Sequence, residues 1–398
     1  MTAALLAVNA GSSSLKFALY ADDKALTPLG KGEVSGLGSV SRLRTCVAGR
    51  AAAERALGDV ANAADALQVM LDWLAVQFAD IHFSAIGHRV VHGGSRFCAP
   101  IVIDDGNLHE LEALDPLAPQ HQPFNLEAIR ALRKRFPQSL PVACFDTAFH
   151  AHWDDAAKRI ALPRRFHDAG IRRYGFHGLS YEFLSERVRM LAPAARRVVL
   201  AHLGSGASIC ATLDGRSVES TMGFSALDGL PMATRSGALD PSIIFHLRRQ
   251  HAMNFEDIEH TLYYESGLKG ISGISADMRD LLASDRCEAR QAIDLFVHRC
   301  RQAVGAMIAV LGGVDALVIS GGIGAHSAPV RAAICSRLEY AGIHLDAGAN
   351  AIGSACISVP MSNTPVFALA TNEESVIARH CQSLLAACGK TAACAAVL

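Results

Sequence analysis

Apolar residues recur along this chain with two spacings, and these spacings predict where strands and helices lie. Leu5–Val8 is a short apolar run of the length typical of a buried strand. From Ser14 to Tyr20, apolar and polar residues alternate with period two, which predicts a half-buried strand. The residues between the two runs are Asn, Ala, Gly and Ser. The chain is therefore predicted to open with a strand–turn–strand unit, to which Lys31–Val34 adds a third strand.

The same layout recurs near the middle of the chain. Arg197–Leu203 and Ile209–Leu213 are predicted strands, and Gly204–Ser208 is a turn of small residues between them. Asp214-Gly215 then gives a hairpin turn signal. Two such units, roughly half a chain apart, predict two related domains that face one another. Two unrelated polar loops are the alternative.

The remaining patterns predict further helices, strands and loops. Helical spacing is found in Ala51–Phe78, Asn125–Phe136, Tyr181–Leu191, Ser242–Gln250 and Cys287–Leu311, and after Asp280 and Glu374. Strands are predicted over Ser84–Val91, Val142–Phe145, Val314–Ser320 and Pro365–Ala370. Loops are predicted over Gly36–Thr45 and Trp153–Arg173.

Size and charge narrow the class of protein. The chain has 398 residues, enough for two domains with separate cores. Its 37 Lys and Arg balance 38 Asp and Glu, which argues against nucleic acid or an anionic membrane as a partner. No apolar run is long enough to span a membrane, and the N-terminus does not have the pattern of a signal peptide. The 11 cysteines show no zinc-like spacing, so we expect reduced thiols and a cytoplasmic location.

The two Gly/Ser turns are candidate anion sites. Backbone N–H groups and hydroxyls in such a turn bind phosphate, and Lys16 at the rim of the first turn adds a positive charge. The chain contains no P-loop motif, and neither turn leads into a helix. We therefore predict a strand–turn–strand phosphate grip, with an ordinary polar hairpin as the alternative.

Charged side chains near predicted strand ends are candidates for substrate chemistry. Arg89 precedes the glycines of GHRVVHGG, and its planar guanidinium suits a carboxylate or phosphate. Asp146 follows a buried strand, at the edge where α/β sheets place catalytic groups. A structural ion pair for Arg89 and a turn cap for Asp146 are the alternatives.

Further candidates lie in the second half of the chain. His177 lies between Phe176 and Gly178 at a helix start, and a structural histidine is the alternative to a catalytic one. Arg235 is the one cation of a long segment poor in charge. Gly321–Gly324 follows a strand, so that a nucleoside can approach the backbone closely. Glu373 and Glu374 follow the last strand and suit Mg²⁺, although acids also favour the first turn of a helix.

Taken together, nine motifs resemble the acetate kinase family from Val8 to Arg379. In chain order they are VNAGSSSLKF, GHRVVHGG, FDTAFH, YGFHGLSY, HLGSGAS, TMGFSALDGLPMATRSGALDP, SADMRD, GGIG and TNEE. The resemblance implies an α/β fold of two ribonuclease-H-like, actin-like ATPase domains around a nucleotide cleft. It places residues 1–148 with helix 375–398 in one domain and residues 149–374 in the other. It also implies a homodimer, ATP and ADP as co-substrates, Mg²⁺ or Mn²⁺, and acetate or a similar short-chain carboxylate.

The resemblance also implies a role for each matching residue. Catalytic roles fall to Asp146, His177 and Arg235; substrate binding to Arg89 and Val91; metal binding to Asn9 and Glu373. The residues that the resemblance implies to bind the nucleotide phosphates are Ser12, Ser14, Lys16, His202, Leu203, Gly204, Ser205 and Gly206. The residues that it implies to bind the adenosine end of the nucleotide are Asp277, Met278, Arg279, Gly322, Ile323, Gly324, Ala325 and His326.

Some positions depart from the family pattern, and they leave alternatives open. Ser205 replaces an asparagine, and Ala325 and His326 replace the last two residues of GIGEN. Gln120 and Ala226 stand near the implied acyl pocket. Propionate or butyrate could therefore be the preferred acid. An actin-like ATPase without an acyl substrate is the alternative from another class.

Overall fold

The computed structural model describes residues 2–11, 14–38, 40–58 and 60–395, with side chains up to residue 389. Its contacts divide the chain into two compact units. Unit 1 comprises Met1–Ala148 and Asn372–Leu398, and unit 2 comprises Phe149–Thr371. The C-terminal segment therefore returns to the unit that the N-terminus begins.

Unit 1 contains an eight-stranded sheet with the order β5-β4-β3-β2-β1-β6-β8-β7. β1 pairs antiparallel with β2 and parallel with β6. The strands are β1 (Thr2–Ala10), β2 (Ser14–Ala21), β3 (Pro28–Ser35), β4 (Arg42–Val47), β5 (Ala53–Ala56), β6 (Ile81–Val90), β7 (Ile101–Val102) and β8 (Leu140–Phe145). The helices are α1 (Ala63–Gln77), α2 (Asp105–Glu112), α3 (Gln122–Arg135) and, at the C-terminus, α15 (Glu373–Ala395).

Helices cover both faces of this sheet, which explains why β1 is a continuous apolar run. On one face, Phe17 of β2 and Met70 of α1 lie in the same buried cluster. On the other face, Tyr20 packs with Ala378 of α15. Gly87 permits the close approach of α15, because a Cβ there would lie 2.3 Å from Cγ2 of Ile377.

Unit 2 contains a five-stranded sheet with the order β11-β10-β9-β12-β13. The strands are β9 (Arg197–Leu203), β10 (Ala207–Leu213), β11 (Arg216–Ser220), β12 (Ala316–Ser320) and β13 (Val366–Ala368). The helices are α4 (Asp155–Lys158), α5 (Arg164–Asp168), α6 (Gly178–Leu191), α7 (Ser242–Gln250), α8 (Phe255–His260), α9 (Gly267–Ser272), α10 (Met278–Leu282), α11 (Cys287–Leu311), α12 (Gly321–His326), α13 (Ala328–Cys335) and α14 (Ala347–Ile352). Thr261–Glu265 is a π-helical turn, and Asp115–Leu117, Ala148–His150 and Glu339–Ala341 are 3₁₀ turns.

The two units repeat one local topology. β9 pairs antiparallel with β10 and parallel with β12, as β1 does with β2 and β6. In unit 2, α6 packs Leu184 against Leu200 of β9 in a buried cluster. The predicted repetition of a strand–turn–strand unit is therefore confirmed, as is the α/β class.

Three predictions about elements were wrong in part. The predicted loop Gly36–Thr45 contains the start of β4, and the predicted helical region Ala51–Phe78 begins with β5. All four residues of β5 are exposed, so its sequence carries no apolar alternation, and pairing with β4 makes it a strand. Trp153–Arg173 contains the short helices α4 and α5.

Two properties of the described residues concern the state of the cysteines and the presence of membrane-spanning helices. All ten cysteines that the structure describes are free thiols, and five of them are buried. Within the same residues, no helix combines the length and the apolar composition that crossing a bilayer requires.

Candidate functional site

In unit 1, Arg89 lies near the carboxyl end of β6 and is held by two side chains. Its Nη2 donates to Oδ2 of Asp146 at 2.5 Å, and its Nε lies 3.1 and 3.0 Å from the two carboxylate oxygens. Its Nη1 donates to Oδ1 of Asn9 at 3.0 Å, and Nδ2 of Asn9 donates to Oε2 of Glu373 at 3.1 Å. Arg89, Asp146, Asn9 and Glu373 are thus brought together as one connected group.

The electrostatics of this group are strongly perturbed. Burial by itself lowers the pKa of Arg89, but the charges of Asp146 and Glu373 outweigh it and raise that pKa above its ordinary value. Burial, and then the neighbouring charge of Glu373, raises the pKa of Glu374. Arg89 therefore stays charged in a site where carboxylates outnumber it.

The other unit 1 candidates are placed less tightly. Ser12 lies outside the described residues. The backbone N–H of Gly11 donates to the carbonyl of Ser14 at 2.8 Å. Lys16 is half-exposed and lies 3.8 Å from Glu33. Val91 is buried, and its backbone N–H donates to Oδ1 of Asn125 at 3.0 Å.

The metal assignment depends on Asn9 and Glu373. Among the described residues, no group of three or more His, Cys, Asp and Glu is arranged to hold a metal ion. Mg²⁺ is usually bound through one or two carboxylates, water and substrate phosphates, so it does not require such a group. The amide oxygen of Asn9 and the carboxylate of Glu373 are hard oxygen ligands, and the hydrogen bond from Nδ2 of Asn9 to Oε2 of Glu373 holds the two side chains side by side. These residues therefore fit a magnesium ion that substrate phosphates also hold.

In unit 2, a cavity of about 710 Å³ lies beside the turn between β9 and β10. Eight of its lining residues were predicted to bind nucleotide: Gly204, Ser205, Asp277, Met278, Arg279, Gly322, Ile323 and His326. Asp277 caps α10, and its carboxylate accepts from the guanidinium of Arg279, whose hydrogen bond lowers the pKa of Asp277. The cavity has the size typical of small-molecule sites.

The glycine-rich segment after β12 is the first turn of α12. Gly321 has φ +81°, and a Cβ there would lie 2.4 Å from the carbonyl oxygen of Leu203. Only glycine fits this position, since the backbone of β9 approaches so closely. Gly322, the next residue, lines the cavity, and a Cβ added to it would meet no atom within 4 Å among the described residues. α12 thus brings backbone to the cavity wall.

Two donors converge on the turn between β9 and β10. A Cβ added at Gly206 would lie 3.1 Å from Nε2 of His177 and 3.7 Å from Nη2 of Arg235. Arg235 is oriented by its Nη1, which donates to the carbonyl of Ala226 at 2.8 Å. His177 has φ +60°, an uncommon value for a residue other than glycine, and its ring stacks on His202 at 4.5 Å. The structure therefore brings His177, His202, Gly206 and Arg235 together.

The predicted nucleotide residues and the observed cavity lining differ in both directions. Five residues of unit 2 that were predicted to bind nucleotide are not among the described residues that line the cavity: His202, Leu203, Gly206, Gly324 and Ala325. Of these, Leu203 and Gly324 are buried. Five residues that line the cavity were not predicted: Ala233, Ala276, Leu282, Ser327 and Pro329. Leu282 could have been found, because it lies four residues after Met278 and shares its helix face. Ala233 has no such signal, since a small residue in a loop looks the same with or without a ligand.

Comparison with known proteins places these features in a family context. A profile of the acetokinase family matches residues 4–379. The acetate kinase of Methylocella silvestris is 47% identical over 398 residues, covering 97% of this chain and 98% of that protein. An acetate kinase of Rhodopseudomonas palustris is 45% identical, covering 96% of this chain and 98% of that protein.

Solved structures agree with the sequence relatives. The structure of a propionate kinase from Francisella tularensis has a TM-score of 0.87 and 34% identity, covering 95% of this chain and 98% of that one. The acetate kinase structure from Porphyromonas gingivalis has a TM-score of 0.84 and 32% identity, covering 96% of this chain and 100% of that one. At these identities the likeness extends beyond the fold to the sequence.

Proposed function

The chain belongs to the acetokinase family and is an ATP-using kinase, and we propose that it transfers a phosphoryl group reversibly between ATP and acetate. The products of the forward direction are acetyl phosphate and ADP. The observation that carries this proposal is the convergence of His177 and Arg235 on Gly206, beside the 710 Å³ cavity of unit 2. Two donors at a glycine turn suit an anionic group in transfer.

The chemistry needs charge compensation more than proton transfer. Acetate is ionised at neutral pH, because free carboxyl groups titrate at roughly 4. A general base is therefore unnecessary, and the difficulty is to bring one anion to another. Arg89 would bind the acetate carboxylate, and Val91 would contact its methyl group. Arg235 and His177 would donate to the phosphoryl oxygens as charge builds on them.

Asp146 acts in this proposal as a positioning residue. Its carboxylate holds the guanidinium of Arg89 through Nε and Nη2. The other terminal nitrogen of the guanidinium, Nη1, donates to Asn9. In this proposal Nη1 also donates to the substrate carboxylate. This arrangement supports an orienting role for Asp146 and gives no support to proton abstraction by it.

The nucleotide and its cation have separate candidate residues. Ser205, Asp277, Arg279, Gly322 and His326 line the cavity, which would take the adenosine end of ATP. Asn9 and Glu373 would hold Mg²⁺, which when bound neutralises part of the phosphate charge. The roles of Ser12, Ser14 and Lys16 in binding phosphate stay predictions, as do the boundaries of the two domains and a cytoplasmic location.

We also propose that the protein is a homodimer and that α7 is part of its contact surface. All nine residues of α7 are at least partly exposed, although Ile243, Phe245 and Leu247 lie among them. Ile243 is 44% exposed and Phe245 is 55% exposed. Large exposed apolar side chains are candidates for an interaction surface, and α7 presents two of them.

Formation of acyl phosphate tests the reaction directly. The protein is incubated with ATP, Mg²⁺ and hydroxylamine, which traps acyl phosphates as hydroxamates, across formate, acetate, propionate and butyrate. We expect the highest kcat/KM with acetate. A higher value with propionate or butyrate would assign the longer acid, and no hydroxamate with any acid would refute the proposal.

A further inference from the structure

A buried hydrogen-bond chain leads from α6 to the imidazole of His177. Oγ of Ser208 on β10 lies 2.8 Å from Nδ1 of His177 and also hydrogen bonds the hydroxyl of Tyr181. His177 is the N-cap residue of α6, and Tyr181 lies in the first turn of that helix, where its backbone N–H donates to the carbonyl of His177 at 3.0 Å. Ser208 and Tyr181 have no exposed surface. The Tyr181–Ser208 part of this hydrogen-bond chain is thus shielded from water, and His177 at its end is partly exposed.

The donors in this chain can be assigned by elimination. The backbone N–H of His202 hydrogen bonds the Tyr181 oxygen, and burial raises the pKa of Tyr181 well above its usual value. Tyr181 therefore keeps its proton, and Ser208 Oγ is the acceptor in hydrogen-bond contact with it. Ser208 then accepts from Tyr181, and its own single hydrogen points to Nδ1 of His177.

The opposite direction is unfavourable. If Nδ1 of His177 carried a hydrogen and donated it to Ser208, the hydroxyls of Ser208 and Tyr181 would have only each other as acceptors among the described contacts, and one of their two hydrogens would be left without an acceptor. Leaving a buried donor unsatisfied is destabilising, because the donor loses its hydrogen bond to water and gains none in the protein. The chain therefore selects the tautomer in which Nδ1 accepts and Nε2 carries the proton.

We propose that Tyr181 and Ser208 are positioning residues that hold His177 as the neutral Nε2–H tautomer, so that Nε2 donates to the transferring phosphoryl group. Nε2 is the ring atom closest to Gly206, where Arg235 also converges. A donor that is fixed before the reaction needs no reorganisation when charge develops. The catalytic role of this hydrogen bond rests on the proposed function, whereas the assignment of the tautomer does not depend on it.

The tautomer can be measured on the unmodified protein. Histidines are labelled with ¹⁵N, the His177 signals are assigned by their loss in His177→Gln, and two-bond ¹H–¹⁵N correlations are recorded at neutral pH. We expect Nδ1 of His177 to be the unprotonated, pyridine-like nitrogen and Nε2 to carry the proton. A proton on Nδ1, or on both nitrogens, would overturn the inference.

Steady-state kinetics test whether the hydrogen-bond chain affects turnover. Removing one preorganised donor typically lowers kcat by 10²–10³-fold. Ser208→Ala leaves the His177 donor in place but no longer holds its tautomer, so we expect a smaller fall in kcat, of about 10-fold or more. KM for ATP and for acetate should change by less than about two-fold, since the contact strengthens in the transition state. Tyr181→Phe keeps the ring and should give a smaller loss of kcat with a mixture of tautomers.

Ser185→Ala is the matched control. Ser185 lies on α6, is buried, and donates to the carbonyl of Gly215 at 3.1 Å. Equal kcat in Ser208→Ala and Ser185→Ala would overturn the positioning role. If the wild-type protein formed no acyl phosphate, the proposed function would fail while the tautomer measurement still stood.

Discussion

The guanidinium of Arg235 is oriented by its contacts. Its Nη1 is held by the carbonyl of Ala226, and its Nη2 is directed toward Gly206. Arginines that stabilise a transferring phosphoryl group contribute 10³–10⁵ to kcat. We therefore expect Arg235→Ala to lower kcat at least ~10³-fold in a steady-state assay of acetyl phosphate formation.

A matched control separates this effect from loss of a surface charge. Arg299 lies exposed on α11, where it donates to Gln302 at 3.0 Å. Arg299→Ala should leave kcat within about two-fold, because surface substitutions change little. Near-normal turnover in Arg235→Ala would remove Arg235 from the chemistry.

His88, next to Arg89 in β6, links stability to pH. Its side chain is buried, both ring nitrogens are without a hydrogen-bond partner among the described residues, and burial lowers its pKa to about 3. The unfolded chain takes up a proton at this histidine below about 6.5, whereas the folded chain does so only near 3. Stability therefore falls as pH drops through this window, by about 1.4 kcal/mol per pH unit for this group.

We expect His88→Leu to remove that share of the pH dependence. Urea unfolding at pH 7, 6 and 5 should show a shallower loss of stability on acidification than in the wild type. At pH 7 the variant should be no less stable, because it replaces unsatisfied polar atoms with an apolar side chain. His82→Leu, at an exposed position of the same strand, is the control. An equal change of slope in both variants would contradict the prediction.

At the scale of elements, Arg331 connects three helices of unit 2. It is 1% exposed, and its guanidinium donates to the carbonyls of Gly324 and Ala325 at the end of α12. It also donates to both oxygens of Asn350 on α14. Burial lowers the pKa of Arg331, and among the described residues no carboxylate is near enough to raise it. Backbone carbonyls thus satisfy this buried charge and fix α12.

We expect Arg331→Met to loosen α12 and weaken nucleotide binding. Each carbonyl left without a donor costs about 1–3 kcal/mol of stability, so the melting temperature should fall. Because α12 lines the cavity through Gly322 and His326, KM for ATP should rise by about 10-fold or more. Steady-state kinetics with ATP and acetate varied in turn measure both constants.

Arg301 provides the control for this prediction. It lies on α11 and donates to carbonyls at the end of α13 and to Oγ of Ser336, away from α12. Arg301→Met should lower the melting temperature without raising KM for ATP. An equal rise of that KM in both variants would show that stability, and not the placement of α12, controls nucleotide binding.

At the scale of the whole molecule, α7 tests the proposed homodimer. Burying Ile243 and Phe245 against a second copy would stabilise the dimer by about 25 cal/mol per Å² of apolar area. We expect the wild type to sediment as a dimer and Ile243→Asp to sediment as a monomer, since the substitution buries a charge. Met361→Asp, at a 90% exposed position of unit 2, should remain dimeric. A monomeric wild type would refute the homodimer, and a dimeric Ile243→Asp would exclude α7 from the interface.

Much of the fold was predictable because its signals are local. The alternation in β2, the helical spacing of α11 and the glycine turn after β9 each lie within one short segment. The edge strand β5 and its neighbour β4 carry weaker signals, because both are largely exposed, need no continuous apolar face and depend on backbone pairing with a neighbour. Motif order likewise indicated the residues of the candidate site.

The linear order of residues was enough to establish which residue types stand at strand ends and glycine turns, and with them the family and its reaction. The partners of those residues depend on the folded chain. Arg89 and Asp146 are 57 residues apart, and Ser208 lies 31 residues after His177. Packing of separate elements brings such pairs together, and a hydrogen bond's direction follows from which other donors and acceptors are buried with it. A linear pattern contains neither the packing nor the burial.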